Sequence, residues 1–318
     1  MSSLTAVTGA TGFVGSELCR KLEMSDIPLR KFCRSAGQNG AGRLYALDLL
    51  APESAWHGQL RGVHTLVHLA ALTHEAMVGA ASEELHAVNV EGTRTLVEAA
   101  VKAGVKRVIF LSSIKVNGEE TKSGESFKSH HRPAPTTKYG RSKLLAENIV
   151  IELCDAGGVD WTIIRAPLVC GVDAKGNLDQ LLEWAQRGLP MPFGSIHNAR
   201  SMISVSDLAD LLFACATHPE EIKKIFLAAD DRAISTTQLC RWIIDALNSR
   251  SVLIPVPEVL LRLLLTVAGR GGVVSKLTGS LEVDNSETKA CLNWKPAEGI
   301  EASVRTMVLH YAKKVGAE

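Results

Sequence analysis

Tyr139 and Lys143, in the string Tyr139-Gly-Arg-Ser-Lys143, are the pair with the clearest chemical potential in this chain. On a helix, positions i and i+4 share a face, with Cβ atoms about 5–6 Å apart. A phenol with an ordinary pKa of about 10 is a poor proton donor and acceptor at neutral pH. A neighbouring ammonium favours the phenolate and brings that value toward the useful range. Tyrosine and lysine at this spacing also occur on solvent-facing helices, so the pair gains meaning only from the elements that position it.

The first of those elements lie at the start of the chain. Leu4 to Thr8 reads as a strand, and Gly9-Ala-Thr11-Gly12-Phe13-Val14-Gly15 leads from it into a helix running to Met24. Glycines at this place permit a tight turn and a close approach of pyrophosphate, while the helix amino end offers free N–H groups and a positive dipole. The loop therefore reads as a dinucleotide site. A second strand, Ile27 to Cys33, ends in Arg34-Ser35 without an Asp or Glu. A carboxylate there holds the ribose 2′-hydroxyl of NAD and an arginine accommodates the 2′-phosphate of NADP, so NADP(H) is preferred, with NAD(H) the alternative. Asp48 and Leu49, after a third short strand, would border the adenine.

Val63 to Ala71 is a fourth strand whose end, Leu69-Ala70-Ala71, is small enough for a flat cofactor to lie against it. Thr73 falls on the cofactor side and His74 on the substrate side, whereas His68 reads as a packed histidine. A helix from Ser82 to Ala103 places Asn89 beside the cofactor. A fifth strand ends at Ser112-Ser113, where a hydroxyl can meet the Tyr139 phenol over one substrate oxygen.

Composition narrows the classes. The chain has 318 residues, 46% of them hydrophobic, with 35 basic against 34 acidic side chains. That balance argues against nucleic acid as the main partner. Seven scattered cysteines form no Cys-x-x-Cys pair, so neither a metal site nor a redox motif is expected, and reduced thiols fit a cytoplasmic protein. The amino-terminal residues lack the regions of a signal peptide, and no apolar run reaches the roughly 18 residues of a spanning helix.

Together the glycine loop, the strand-end serine and the Tyr/Lys pair resemble the extended short-chain dehydrogenase/reductase family, within its NAD-dependent epimerase/dehydratase group of nucleotide-sugar enzymes. The resemblance extends over nearly the whole chain and implies a catalytic triad of Ser113, Tyr139 and Lys143. It also implies that Ser112 and Pro167 lie on the cofactor side. For the substrate it implies Lys115, the helix start at Lys175-Gly-Asn177-Leu178, the phosphate-binding Arg200, and Asp284 near the nucleotide. Read on their own, Asn177 is equally a helix cap and Arg200 equally a surface salt-bridge partner. Two departures stand out: Val116-Asn117-Gly118 replaces the Val-Tyr-Gly usual in sugar epimerases, and Cys170 stands where tyrosine is common. The acidic elements of 4,6-dehydratases are missing at residues 112–114. The string from Ser113 to Glu119 resembles a subgroup of bacterial surface-polysaccharide pathways.

The fold expected is α/β, a doubly wound, Rossmann-like parallel sheet of about seven strands with a smaller discontinuous substrate-binding domain. Residues 1–166 and about 201–230 would form the first, and 167–200 with 231–318 the second. The function expected is NADPH-dependent reduction of a UDP-4-keto-6-deoxy-N-acetylhexosamine, with a UDP-hexose 4-epimerase holding NAD tightly as its nearest rival. A non-catalytic NAD(P)-sensing regulator would lack Tyr139 or Lys143. Reduction of a steroid-like or flavonoid ketone is disfavoured by Arg200. The apolar stretch 256–269 reads first as buried core, with an oligomer surface or shallow membrane contact as alternatives, and a homodimer is an open expectation.

Overall fold

The computed structural model describes residues 3–34, 44–73, 82–172, 174, 177–219, 223–267 and 277–315. Short β-branched and apolar runs alternate with amphipathic helices, and this alternation builds a parallel sheet with helices on both faces. In chain order, β1 (Thr5–Thr8), α1 (Phe13–Met24), β2 (Leu29–Cys33) and β3 (Leu44–Ala46) lie on one side of the first strand. The chain then crosses back through α2 (Glu53–Leu60) to β4 (Thr65–His68), α3 (Ser82–His86), α4 (Gly92–Ala103) and β5 (Arg107–Ser113). It continues through α5 (Lys138–Gly157), β6 (Asp160–Ala166), β7 (Leu168–Cys170), α6 (Asn177–Gln186), β8 (Met202–Ser204), α7 (Val205–Thr217) and β9 (Lys224–Leu227). The closing helices are α8 (Thr236–Leu247), α9 (Glu258–Val267), α10 (Ser286–Leu292) and α11 (Ile300–Val315).

The main sheet has the order β3-β2-β1-β4-β5-β6-β9, parallel at every pairing. Its direction of growth reverses between β1 and β4, which opens a crevice at the carboxyl ends of those two strands. One core, containing Trp56, Leu96, Val97, Phe110 and Val150, fills the face under α2, α4 and α5. A second, containing Leu18, Leu22, Leu208 and Leu212, fills the face under α1 and α7. A third, with Leu181, Phe193, Trp242, Val304 and Val308, joins α6, α8 and α11. The chain after β5 is sewn to the carboxyl-terminal part, with Thr121 N donating to Ser280 O at 2.8 Å and Phe127 N to Glu282 O at 2.8 Å.

Two elements differ from expectation. The single helix read from Ser82 to Ala103 is interrupted by a π turn at Ala87–Glu91, closed by the Gly92 N–H on the Ala87 carbonyl. Asn89 accounts for the break: its side chain accepts from Leu72 N at 2.8 Å and donates to Leu72 O at 3.0 Å, so it is held by the strand end rather than by its own helix. Of the apolar stretch read as buried core, most of the described side chains on α9 are not buried. Leu261 is buried, but Val259 and Leu263 are 81% and 59% exposed. A helix with leucine and valine on several faces has more apolar surface than one packed side can cover. Among the described residues, no helix is long and apolar enough to cross a membrane.

Candidate active site

Both ends of the β1-to-α1 loop are built by glycine. Gly9 adopts φ +69°, and a Cβ there would lie 2.9 Å from the Ala70 amide. A Cβ on Gly15 would overlap the Gly9 carbonyl, so the helix can start this close to the strand only without a side chain. Gly12 caps α1 without a side-chain bond and the first turn carries no acidic residue, which leaves the amino end open to an anion. The loop is fastened to the tip of β2 by Ala10 N donating to Phe32 O at 3.1 Å.

A cleft of about 2150 Å³ runs from this loop across the sheet edge toward α6 and α8. The wall expected to face a cofactor includes Gly9, Thr11, Gly12, Phe13, Val14 and Gly15, then Leu69, Ala70, Ala71 and Thr73 from beyond β4. Ser112, Ser113, Tyr139, Lys143 and Pro167 line its middle, and Lys115, Leu178 and Arg200 line the part beyond. The three residues proposed for catalysis thus open into one space. Ser113 is the last residue of β5 and its hydroxyl accepts from the Lys115 amide at 3.3 Å. Tyr139 stands in the first turn of α5, whose cap, Thr137, accepts from Gly140 N at 3.1 Å.

Lys143 is 2% exposed, with Nζ 4.0 Å from the centroid of the Phe110 ring. Burial pushes its ammonium down to about 7, and the carboxylate of Glu147 one turn later works in the opposite direction. Ser142 ties the two halves of this region: its hydroxyl donates to Tyr139 O at 2.9 Å and accepts from Asn89 Nδ2 at 3.2 Å. Asn89 therefore sits behind the Tyr/Lys pair, joining α5 to the end of β4, and is not among the residues lining the cleft.

His68 is a packed histidine. Thr93 Oγ1 donates to Asn89 O at 2.8 Å and so must accept from His68 Nε2 at 3.0 Å. Nδ1 then accepts from Thr8 Oγ1 at 2.8 Å, which makes the ring a neutral Nε2–H tautomer. Burial, with the Lys143 charge nearby, pushes its pKa down to about 3.

The remaining expected residues are more dispersed. Arg34 is exposed, immediately past β2, and Asp48 accepts from Leu50 N at 2.8 Å while Leu49 is buried. Neither Arg34, Asp48 nor Leu49 lines the cleft. Asn177 begins α6. Arg200 is half-buried between two backbone bridges, and its Nη1 donates to Gly279 O at 2.9 Å. Hydrogen bonds from the Ser286 side chain and from Ser286 N, the latter at 2.9 Å, hold Asp284 below the usual carboxylate range, and it lies outside the cleft lining. Ser35, His74 and Lys175 lie outside the described residues.

Sequence reasoning overlooked the group beneath Lys143. Arg165, 2% exposed, donates from Nε to Glu147 Oε1 at 3.0 Å and from Nη2 to Glu147 Oε2 at 2.7 Å. Its Nη1 donates to Asn117 Oδ1 at 3.0 Å, so the departure Val-Asn-Gly supplies a buried acceptor for this guanidinium. The Ser112 hydroxyl also donates to the Glu147 carboxylate. An arginine following two isoleucines within a strand read as lying inside the sheet was the available signal, since such a charge is rarely buried without a partner.

The model of the NAD dependent epimerase/dehydratase family matches residues 5–229. A UDP-glucose 4-epimerase of Vibrio cholerae is 36% identical over 300 residues, covering 93% of this chain and 91% of its own. An N-acetyl-alpha-D-glucosaminyl-diphospho-ditrans,octacis-undecaprenol 4-epimerase of Escherichia coli O157:H7 is 27% identical, covering 88% and 82%. Among solved structures, a Thermotoga maritima UDP-glucose 4-epimerase with UDP-glucose superposes with a TM-score of 0.80 at 20% identity, over 98% of this chain and 99% of that one. A Thermus thermophilus UDP-glucose 4-epimerase with NAD gives 0.77 at 19% identity, over 97% and 98%. The chain belongs to the NAD dependent epimerase/dehydratase family.

Proposed function

We propose that this member of the family transfers a hydride at carbon 4 of a nucleotide-linked sugar, reducing a UDP-4-keto-6-deoxy-N-acetylhexosamine with NADPH. The observation that carries this reading is that Ser113, Tyr139 and Lys143 line one cleft, between the glycine loop on one side and Arg200 on the other. Residues 167–200 and 231–318 are assigned to the substrate half.

The residues present fit a dinucleotide. The Gly9–Gly15 loop, the uncapped amino end of α1 and the small Leu69–Ala71 strand end would hold its pyrophosphate and flat rings. When bound, it supplies the hydride donor. Tyr139 gives its proton to the sugar 4-oxygen as negative charge develops there, and Ser113 orients that oxygen by hydrogen bonding. The Lys143 ammonium stabilises the phenolate left behind. Arg200, with a planar fork of donors in a partly desolvated position, holds phosphate.

Arg34 supports the NADP(H) preference. It follows the β2 tip that is bonded to the glycine loop, and Phe32, Cys33 and Arg34 include no carboxylate to hold a ribose hydroxyl.

A second reading, a UDP-hexose 4-epimerase with retained NAD, is supported by the Vibrio cholerae relative and its near-full coverage. The discriminating experiment mixes purified protein, NADPH and a UDP-4-ketosugar generated in place by a dehydratase, with NADH in parallel. Stoichiometric loss of reduced-nicotinamide absorbance supports the reductase. Absence of loss, with NAD released on denaturation and interconversion of a UDP-hexose with its 4-epimer, replaces it by the epimerase.

A further inference from the structure

Glu147 is fully buried one turn beyond Lys143, on the same face of α5. Its two oxygens take both forks of Arg165 and the hydroxyl of Ser112. Ser112 and Arg165 are paired directly across β5 and β6, so the carboxylate sits over the carboxyl ends of both strands. Ser113 ends one of them, and Ala166 ends the other, with Pro167 just after it. Arg165 extends the cluster to Asn117, which in turn donates to Lys128 O at 3.3 Å in the segment after β5. One carboxylate thereby connects the helix carrying Tyr139 and Lys143 to the strand end carrying Ser113.

We propose that Glu147 is a positioning residue for the reaction, setting the charge of Lys143 and the distance between α5 and the Ser113 strand end, with Arg165 as its counterweight. This rests on the reading that Tyr139 and Lys143 act on substrate. Among the described residues, Lys143 is coupled to Glu147 on its own helix and to the neutral His68 of β4, and its ammonium lies against Phe110 of β5. Tyr139 precedes it by one turn on α5, Arg165 of β6 and Ser112 of β5 reach it through the Glu147 carboxylate, and Asn89 behind α5 is uncharged and bonds to Ser142. Glu147 favours the ammonium, and Arg165, ion-paired to the Glu147 carboxylate, should offset part of that effect. Removing each charge should therefore move the Lys143 titration in opposite directions, which loss of packing alone would not do.

The test compares Glu147→Gln with Arg165→Gln, each checked for folding by circular dichroism. In Glu147→Gln the alkaline limb of the kcat/KM profile should move to lower pH by about one unit, with kcat down about tenfold and KM within about threefold. In Arg165→Gln the limb should move to higher pH. Shifts in the same direction, or no shift in either, overturn the proposal. Should Glu147→Gln fail to fold, Arg165→Gln decides alone: an unchanged or acid-shifted limb refutes it. Titration of the Lys143 Nζ resonance by NMR, assigned by its loss in Lys143→Met, is recorded on the same proteins and needs no substrate. If the wild type turns over no nucleotide sugar, the functional reading has failed, and these resonance shifts still sustain or refute the role of Glu147.

Discussion

The Lys143 ammonium lies over the face of Phe110, 4.0 Å from the ring centroid, at a nearly buried position on the wall of the cleft. A desolvated cation over an aromatic face gains about 2 kcal/mol, partly offsetting the cost of burying the charge. Replacing the ring by Phe110→Leu should make the ammonium easier to deprotonate. The alkaline limb of the activity profile is expected to move about one pH unit toward acid, and an unmoved limb would show that the ring only fills space.

Lys143 costs stability. Its pKa of about 7 in the folded chain lies below the ordinary value of 10.5, so at pH above about 7 the unfolded chain keeps a proton that the folded chain gives up. Lys143→Met should abolish turnover and raise the melting temperature at neutral pH by several degrees. A lower melting temperature would mean that the ammonium contributes more to packing than its burial costs.

The pair proposed for catalysis and the glycine loop are easier to read from the chain than what lies under them. Gly9–Gly15, Ser113 and Tyr139/Lys143 could be read because each needs a residue type at a fixed distance from a strand or helix end. The parallel sheet followed from strands alternating with helices. The π turn at Ala87–Glu91 could not be read, since its cause is the tertiary contact of Asn89 with Leu72 rather than a helix breaker. The Glu147–Arg165 pair was hidden by separation along the chain, as helix periodicity says which face Glu147 occupies but not which strand meets it. Exposure of Val259 and Leu263 was misjudged because apolar composition does not say which side of a helix is covered.

Acid sensitivity should trace to His68. Its folded pKa of about 3 lies below the ordinary 6.5, so the unfolded chain binds a proton first as pH falls. Stability from this group is complete above about pH 6.5 and is lost progressively below it, by about 2 kcal/mol between pH 7 and pH 5. Urea midpoints measured across that range should fall more steeply for the wild type than for His68→Gln. Parallel slopes would contradict the neutral, buried assignment.

Arg200 should govern affinity rather than chemistry. Its charge-assisted bonds to phosphate would be worth about 1.5–3 kcal/mol, so Arg200→Met is expected to raise KM for the nucleotide sugar by about tenfold or more with a smaller effect on kcat. A fall in kcat at unchanged KM would place Arg200 nearer the reacting atoms than proposed.

The most direct test follows the hydride itself. The protein is given NADPH carrying deuterium at the transferable position of the nicotinamide and a UDP-4-ketosugar, and the product is analysed by NMR, with Tyr139→Phe as the inactive control. The account predicts deuterium at carbon 4 of the sugar, in one configuration, with turnover lowered by at least about a hundredfold in the control. Deuterium at another carbon, or equal turnover without the phenol, would contradict it.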